Sequence, residues 1–133
     1  MAIRTPGMVA ITRFEDIEAW KSARALSEAF DRRAGSINSG RLLRQMEDCA
    51  DSVMANIVEG FDSRADAEFC RFLKIAYRSA SEFQSHLYVA KNRRYLTPAE
   101  FNELYDMAKK TKALIGGFMR YLKKCLKEGN IRR

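Results

Sequence analysis

An all-α fold, an antiparallel up-down-up-down four-helix bundle, is predicted by this sequence on three observations. Apolar residues recur at spacings of three and four through four long stretches, which puts them on one face of each helix. Only 2 prolines and 7 glycines interrupt 133 residues, too few for a turn-rich β fold. The links between the stretches are about four to seven residues long, and links that short join antiparallel neighbours.

The first helix is expected over residues 15–33. Trp20, Ala23, Ser27, Phe30 and Ala34 share one face, with Ala19 and Leu26 beside them. Residues 35–40 (Gly-Ser-Ile-Asn-Ser-Gly) then break the pattern with turn formers.

A second helix is expected over residues 41–59, with Leu42, Met46, Cys49, Val53 and Ile57 facing inward. Gly60 follows where helices commonly end, because glycine takes the left-handed conformation without steric cost. Asn56 shares the inner stripe. A buried amide left unbonded costs about 1–3 kcal/mol, so a specific partner is expected for it.

The third helix is expected over residues 65–93, with Ser63 as its cap. Leu73, Ala76, Ala80, Phe83, Leu87 and Ala90 form one apolar seam. A flanking stripe holds Phe72, Ile75, Ser79, Glu82, His86 and Val89. A surface helix of a monomer needs only one apolar stripe, so these six residues are the candidate oligomer interface.

The fourth helix has the clearest start. Thr97 can cap the free backbone N–H groups, Pro98 suits the first turn, and Glu100 can reach back to complete a capping box. Phe101, Leu104, Ala108, Thr111, Ile115, Phe118, Leu122 and Cys125 then trace an apolar face. Gly116 and Gly117 in its middle should each cost roughly 1 kcal/mol relative to alanine; close helix packing or a bend is the usual compensation, and close packing is the one expected.

The length suits one domain: a tail over 1–13, the bundle over 14–127 and a basic tail over 128–133. A 47% hydrophobic fraction excludes a disordered chain. No apolar run approaches the roughly 18 residues that span a bilayer. The apolar patch at 8–11 is too short for a secretory signal, so a cytoplasmic protein without membrane partners is expected.

Little in the residues suggests reaction chemistry. No phosphate-binding glycine loop, nucleophile elbow or HExxH motif is present, so the chain is expected to be no enzyme and to need no cofactor. Cys49, Cys70 and Cys125 are far apart and, with a single histidine, make no usual structural zinc pattern. They read as small buried hydrophobes, and no metal is expected. Glu82 and His86, four apart, can meet, and read as a hydrogen-bonded polar pair at a subunit contact. Trp20, Tyr77, Tyr88, Tyr105 and Tyr121 could stack on bases but fall at helical spacing beside core positions, where rings usually pack.

Charge says more. Basic and acidic side chains number six and five over residues 1–34, three and five over 35–64, six and three over 65–96, and nine and four over 97–133. The positive charge therefore sits in the second half, above all in the last helix. Lys109, Lys112, Arg120, Lys123 and Lys127 lie along one side of that helix, with Gly116 filling the gap, and Arg132 and Arg133 continue the charge. Such an array suits phosphate binding, and equally suits a solvated face that keeps a protein soluble.

Three segments carry a family resemblance. Phe14-Glu15-Asp16-Ile17-Glu18-Ala19-Trp20, Ala55-Asn56-Ile57-Val58-Glu59-Gly60-Phe61 and Glu68-Phe69-Cys70-Arg71-Phe72-Leu73 resemble the four-helix bundle proteins encoded in rRNA intervening sequences. Ser79, Glu82, Leu87, Ala90-Lys91 and Tyr95-Leu96 extend the likeness, which covers about residues 14–126. The resemblance implies structural roles for Trp20, Asn56, Glu59 and Gly60, assembly into rings of five subunits, and an association with insertions in bacterial large-subunit rRNA genes. Related bundles accompany the reverse transcriptases of diversity-generating retroelements. Three positions depart from the family pattern: Glu47-Asp48 replaces a basic pair, Met54 a proline, and Arg94 the glycine before Tyr-Leu.

Two functions are therefore expected as alternatives. One is a homo-oligomer, a pentamer on the resemblance, that binds RNA or DNA without reading sequence, through the basic stripe of the fourth helix. The other is a protein-binding scaffold or accessory subunit that binds no nucleic acid.

Overall fold

The computed structural model describes residues 3–4, 10–63 and 65–129. A short 3-10 turn, Phe14–Asp16, leads into helix α1 (Glu18–Asp31). A second 3-10 turn, Ala34–Ser36, leads to α2 (Gly40–Asp62), followed by α3 (Asp66–Asn92) and α4 (Pro98–Lys127). Residues 3–4 and 10–11 pair as a minimal antiparallel ladder, Ile3 opposite Ile11. Ile11 is buried in the core, so part of the predicted N-terminal tail belongs to the bundle. None of the described helices is long and apolar enough to cross a membrane.

The side chains that cross between helices establish their directions. From α2 to α3, Ser52 meets Ser79 and Cys49 meets Glu82. From α3 to α4, Gln84 meets Lys112 and Tyr88 meets Phe101. From α1 to α4, Ser22 meets Thr111, and just beyond the end of α1 Arg33 meets Glu100. In each pair the residue numbers rise on one helix as they fall on the other, so neighbours run antiparallel. With α1 packed on α2 as well, the ring of contacts closes as an up-down-up-down bundle.

The core has two halves. One gathers Ile17, Ile57, Phe69, Leu73, Ile115 and Leu122; the other gathers Leu26, Phe30, Met46, Phe83, Leu87 and Leu104. Two polar pairs sit near the middle of the bundle, Ser22–Thr111 and Ser52–Ser79, both at 2.7 Å. Thr111 Oγ1 donates to the Met107 carbonyl, so Ser22 is the donor in the first pair. Asn56 finds its partner one turn back, donating to both the carbonyl and the hydroxyl of Ser52.

Three local expectations change. Gly60 does not terminate α2, which continues to Asp62. A Cβ there would overlap Phe69 Cδ1 and lie 2.9 Å from Phe69 Cε1 and 3.1 Å from Phe72 Cβ, so glycine is needed for the approach of α3. Ser63 belongs to the end of α2 rather than the start of α3: its hydroxyl donates to the Gly60 carbonyl at 2.5 Å, while the N-cap of α3 is Ala65. Gly116 and Gly117 are not closely packed within the chain. The nearest atoms to an added Cβ belong to the flexible Arg120 side chain, at 3.4 and 3.7 Å.

The start of α4 matches its sequence signal. Thr97 Oγ1 accepts from the Glu100 backbone N–H, and the Glu100 carboxylate accepts from the Thr97 N–H. The end of α3 is closed by Tyr95 N–H to the Ala90 carbonyl and Arg94 N–H to the Lys91 carbonyl, with Arg94 left-handed at φ 61°. This is the hydrogen-bonding pattern of a Schellman turn.

Candidate nucleic-acid interface

Between Met107 and Lys127 the sequence has no acidic residue and seven basic ones: Lys109, Lys110, Lys112, Arg120, Lys123, Lys124 and Lys127. The apolar face of α4 points into the core through Leu104, Ala108, Thr111, Ile115 and Leu122. Helical geometry then places Lys109, Lys112, Arg120, Lys123 and Lys127 on the flank beside α3. Contacts agree, since Lys112 meets Gln84 and Tyr77 of α3, and Gly116 and Tyr77 are neighbours.

Four of the five, Lys109, Arg120, Lys123 and Lys127, are exposed. Lys112 is half-buried and engaged: its Nζ donates to the buried Gln84 Oε1 at 3.0 Å and lies 4.9 Å from the Tyr77 ring centroid. It is partly a packing residue, a role that spacing did not reveal. Among the described residues none of the five pairs with a carboxylate, whereas some cations elsewhere do and others, such as Arg41, Arg44, Lys74 and Arg78, do not. Lys21 pairs with Glu18, Arg24 with Glu28, Arg33 with Glu100 and Glu103, and Arg71 with Glu68. The α4 flank is thus a row of uncompensated positive charge, with the exposed ring of Tyr77 on its border.

The candidate oligomer stripe of α3 is partly consumed inside the chain. Ser79 is buried against Ser52, and Phe72 abuts Gly60 on one side and carries the Arg71 guanidinium 4.7 Å from its centroid. Val89 packs against the core half that contains Leu87. Ile75 and His86 are half-buried and Glu82 is exposed. Much of the doubled apolar face therefore serves the α2 contact, and what remains outward is centred on Phe72, Ile75 and His86.

The Glu82–His86 hydrogen bond expected from their spacing is absent among the described residues. Instead the Cys49 thiol of α2 donates towards Glu82 Oε2 at 3.9 Å, and Cys49, Glu82 and His86 bring their ligand atoms within 4.8 Å of one another. Burial, with the Glu82 charge next, pushes the Cys49 thiol up to about 11. Burial raises the Cys70 thiol also, while nearby Lys123 opposes that shift. Cys125, expected to be buried, is only half-buried.

The remaining structural residues divide. Trp20 packs edge-on against Phe14 at 5.1 Å, and Asn56 and Gly60 are fixed as described. Glu59 is exposed and makes no hydrogen bond or ion pair with any other described residue, so no structural role for it is visible within one chain.

Comparison with known proteins places this architecture. A search of solved structures finds a protein of unknown function from the S23 ribosomal protein family of Bacteroides thetaiotaomicron VPI-5482, at 17% identity and a TM-score of 0.70, covering 77% of this chain and 95% of that one. At that identity the likeness concerns the fold. No curated protein matches the chain. The family model described as 23S rRNA-intervening sequence protein matches residues 15–117. The chain belongs to the 23S rRNA-intervening sequence protein family.

Proposed function

We propose that this bundle is a non-enzymatic homo-oligomer, a pentamer, that binds RNA or DNA without sequence reading through the α4 flank. The observation that supports it is the row formed by Lys109, Arg120, Lys123 and Lys127, exposed and without carboxylate partners among the described residues. Neutralising phosphates releases condensed counterions, and such a row needs no base contacts to gain affinity. Tyr77 beside Lys112 offers a ring on which an unpaired base could stack. The description of the family, as proteins of rRNA intervening sequences, agrees with RNA as the natural polyanion. Self-association is supported by the half-buried Phe72 and Ile75 on α3 and by the Gly116-Gly117 pair, which has no packing reason within the chain.

Anisotropy titration of a structured RNA at low salt is the test. The Lys123→Glu/Lys127→Glu double variant binds at least about tenfold more weakly, while Glu103→Gln, on the opposite flank, binds as the parent does. Equal affinity of the parent and the charge-reversed variant sinks the reading. Light scattering at micromolar concentration gives a mass near five times 15.3 kDa; a monomer removes the oligomer from it.

A protein-binding scaffold is the second reading, favoured by one feature. Asp48, Asp51, Glu59 and Asp62 of α2 are exposed without cationic partners among the described residues, an acidic face suited to a basic protein surface. Co-purification of a protein, with an absorbance ratio that excludes nucleic acid, distinguishes this reading from the first.

A further inference from the structure

The register of α2 against α3 creates a cluster that neither helix holds alone. Glu82 and His86 stand one turn apart on α3 and so project to the same side. Ser52–Ser79 fixes the pairing of the helices, and one turn further along Cys49 arrives opposite Glu82. A sulfur, a carboxylate oxygen and an imidazole nitrogen thus come within 4.8 Å of one another.

We propose that Cys49, Glu82 and His86 bind one divalent cation of the zinc class, which clips α2 to α3 and keeps one coordination position towards solvent. Three features carry this, and none depends on the nucleic-acid reading. The donor set mixes thiol, imidazole and carboxylate, the combination that borderline ions such as zinc select, and not the all-oxygen shell of calcium or magnesium. Distances fit: bonds of about 2.0–2.3 Å in a tetrahedron hold ligand atoms roughly 3.3–3.7 Å apart, so small side-chain rotations inside the 4.8 Å envelope suffice. Burial is graded, from the buried Cys49 through the half-buried His86 to the exposed Glu82, which gives the ion an entry path and an apolar floor.

Binding is a simple exchange. The S–H bond of Cys49 breaks, its proton leaves by way of the adjacent Glu82 carboxylate to water, and a sulfur–metal bond forms without change of oxidation state. The sequence alone concealed the site, because a single histidine and scattered cysteines match no metal-binding spacing.

Cobalt(II) titration of the protein reads the site directly. The protein develops a thiolate-to-cobalt charge-transfer band in the near ultraviolet that saturates at one ion per chain, and zinc abolishes it by displacement. Cys49→Ser removes the band, His86→Ala weakens binding by at least about tenfold, and Cys125→Ser leaves both unchanged. Absence of the band at micromolar cobalt, or a band undiminished in His86→Ala, overturns the proposal. Should Cys49→Ser fail to fold, the half-buried His86→Ala variant decides alone.

Discussion

At the scale of single residues, backbone geometry separates positions that look alike in sequence. Gly60 and Gly116 both lie within long helices, yet only Gly60 is held by its neighbours, with Phe69 and Phe72 occupying the space of a side chain. Gly60→Ala is expected to lower stability by about 1–3 kcal/mol through overpacking, read as a fall in the denaturation midpoint. Arg94 is the reverse case. It adopts φ 61°, a conformation that costs an L-residue roughly 1–2 kcal/mol. Arg94→Gly is expected to raise the melting temperature, partly offset by the greater freedom of glycine in the unfolded chain; a fall would show that the Arg94 side chain makes compensating contacts.

At the scale of elements, the caps and stripes explain why four helices are legible in the sequence. Thr97, Pro98 and Glu100 carry their own start signal, and the capping box forms as spacing demands. The Thr97 backbone N–H chiefly holds the Glu100 carboxyl below the ordinary carboxylate range, opposed by burial and helped less by the Thr97 side chain and Arg33. A carboxyl lowered by folding stabilises above its unfolded pKa and loses that contribution as pH falls through the folded value. Stability of Glu100→Gln should therefore fall less steeply than that of the parent as pH drops below the ordinary carboxylate range, measured by denaturant midpoints. Local pattern could not reveal what depends on two helices at once. That Gly60 admits Phe69 and that Cys49 meets Glu82 both require the α2–α3 register. Part of the doubled stripe of α3 is used within the chain for the same reason: Ser79 reads as an outward position until Ser52 is brought against it. On α4, Gly116→Ala and Gly117→Ala are each expected to stabilise the single chain by up to about 1 kcal/mol, because helix propensity rises and nothing blocks the methyl group. If the glycines instead admit a neighbouring subunit, the same substitutions lower the assembled mass in light scattering.

On the scale of the whole molecule, charge is sorted among helices that share one apolar core. The acidic residues of α2 and the basic flank of α4 lie on helices that do not pack as neighbours, so the bundle presents opposite potentials on different sides. The total of +7 understates this, since it averages an acidic second helix with a strongly basic fourth. The side on which the basic row lies was readable from its three-and-four spacing, but the engagement of Lys112 with Gln84 and Tyr77 was not, because it needs the neighbouring helix. The polyanion binding proposed for the remaining row, Lys109, Arg120, Lys123 and Lys127, rests on charge alone and would therefore weaken with salt. The slope of log affinity against log salt, measured with one structured RNA for the parent and for Lys123→Glu/Lys127→Glu, tests this most directly. The expected result is a steep negative slope for the parent and a slope shallower by about one unit per lost phosphate contact in the variant; tight binding with the same slope in both proteins would rule out the row as the binding surface.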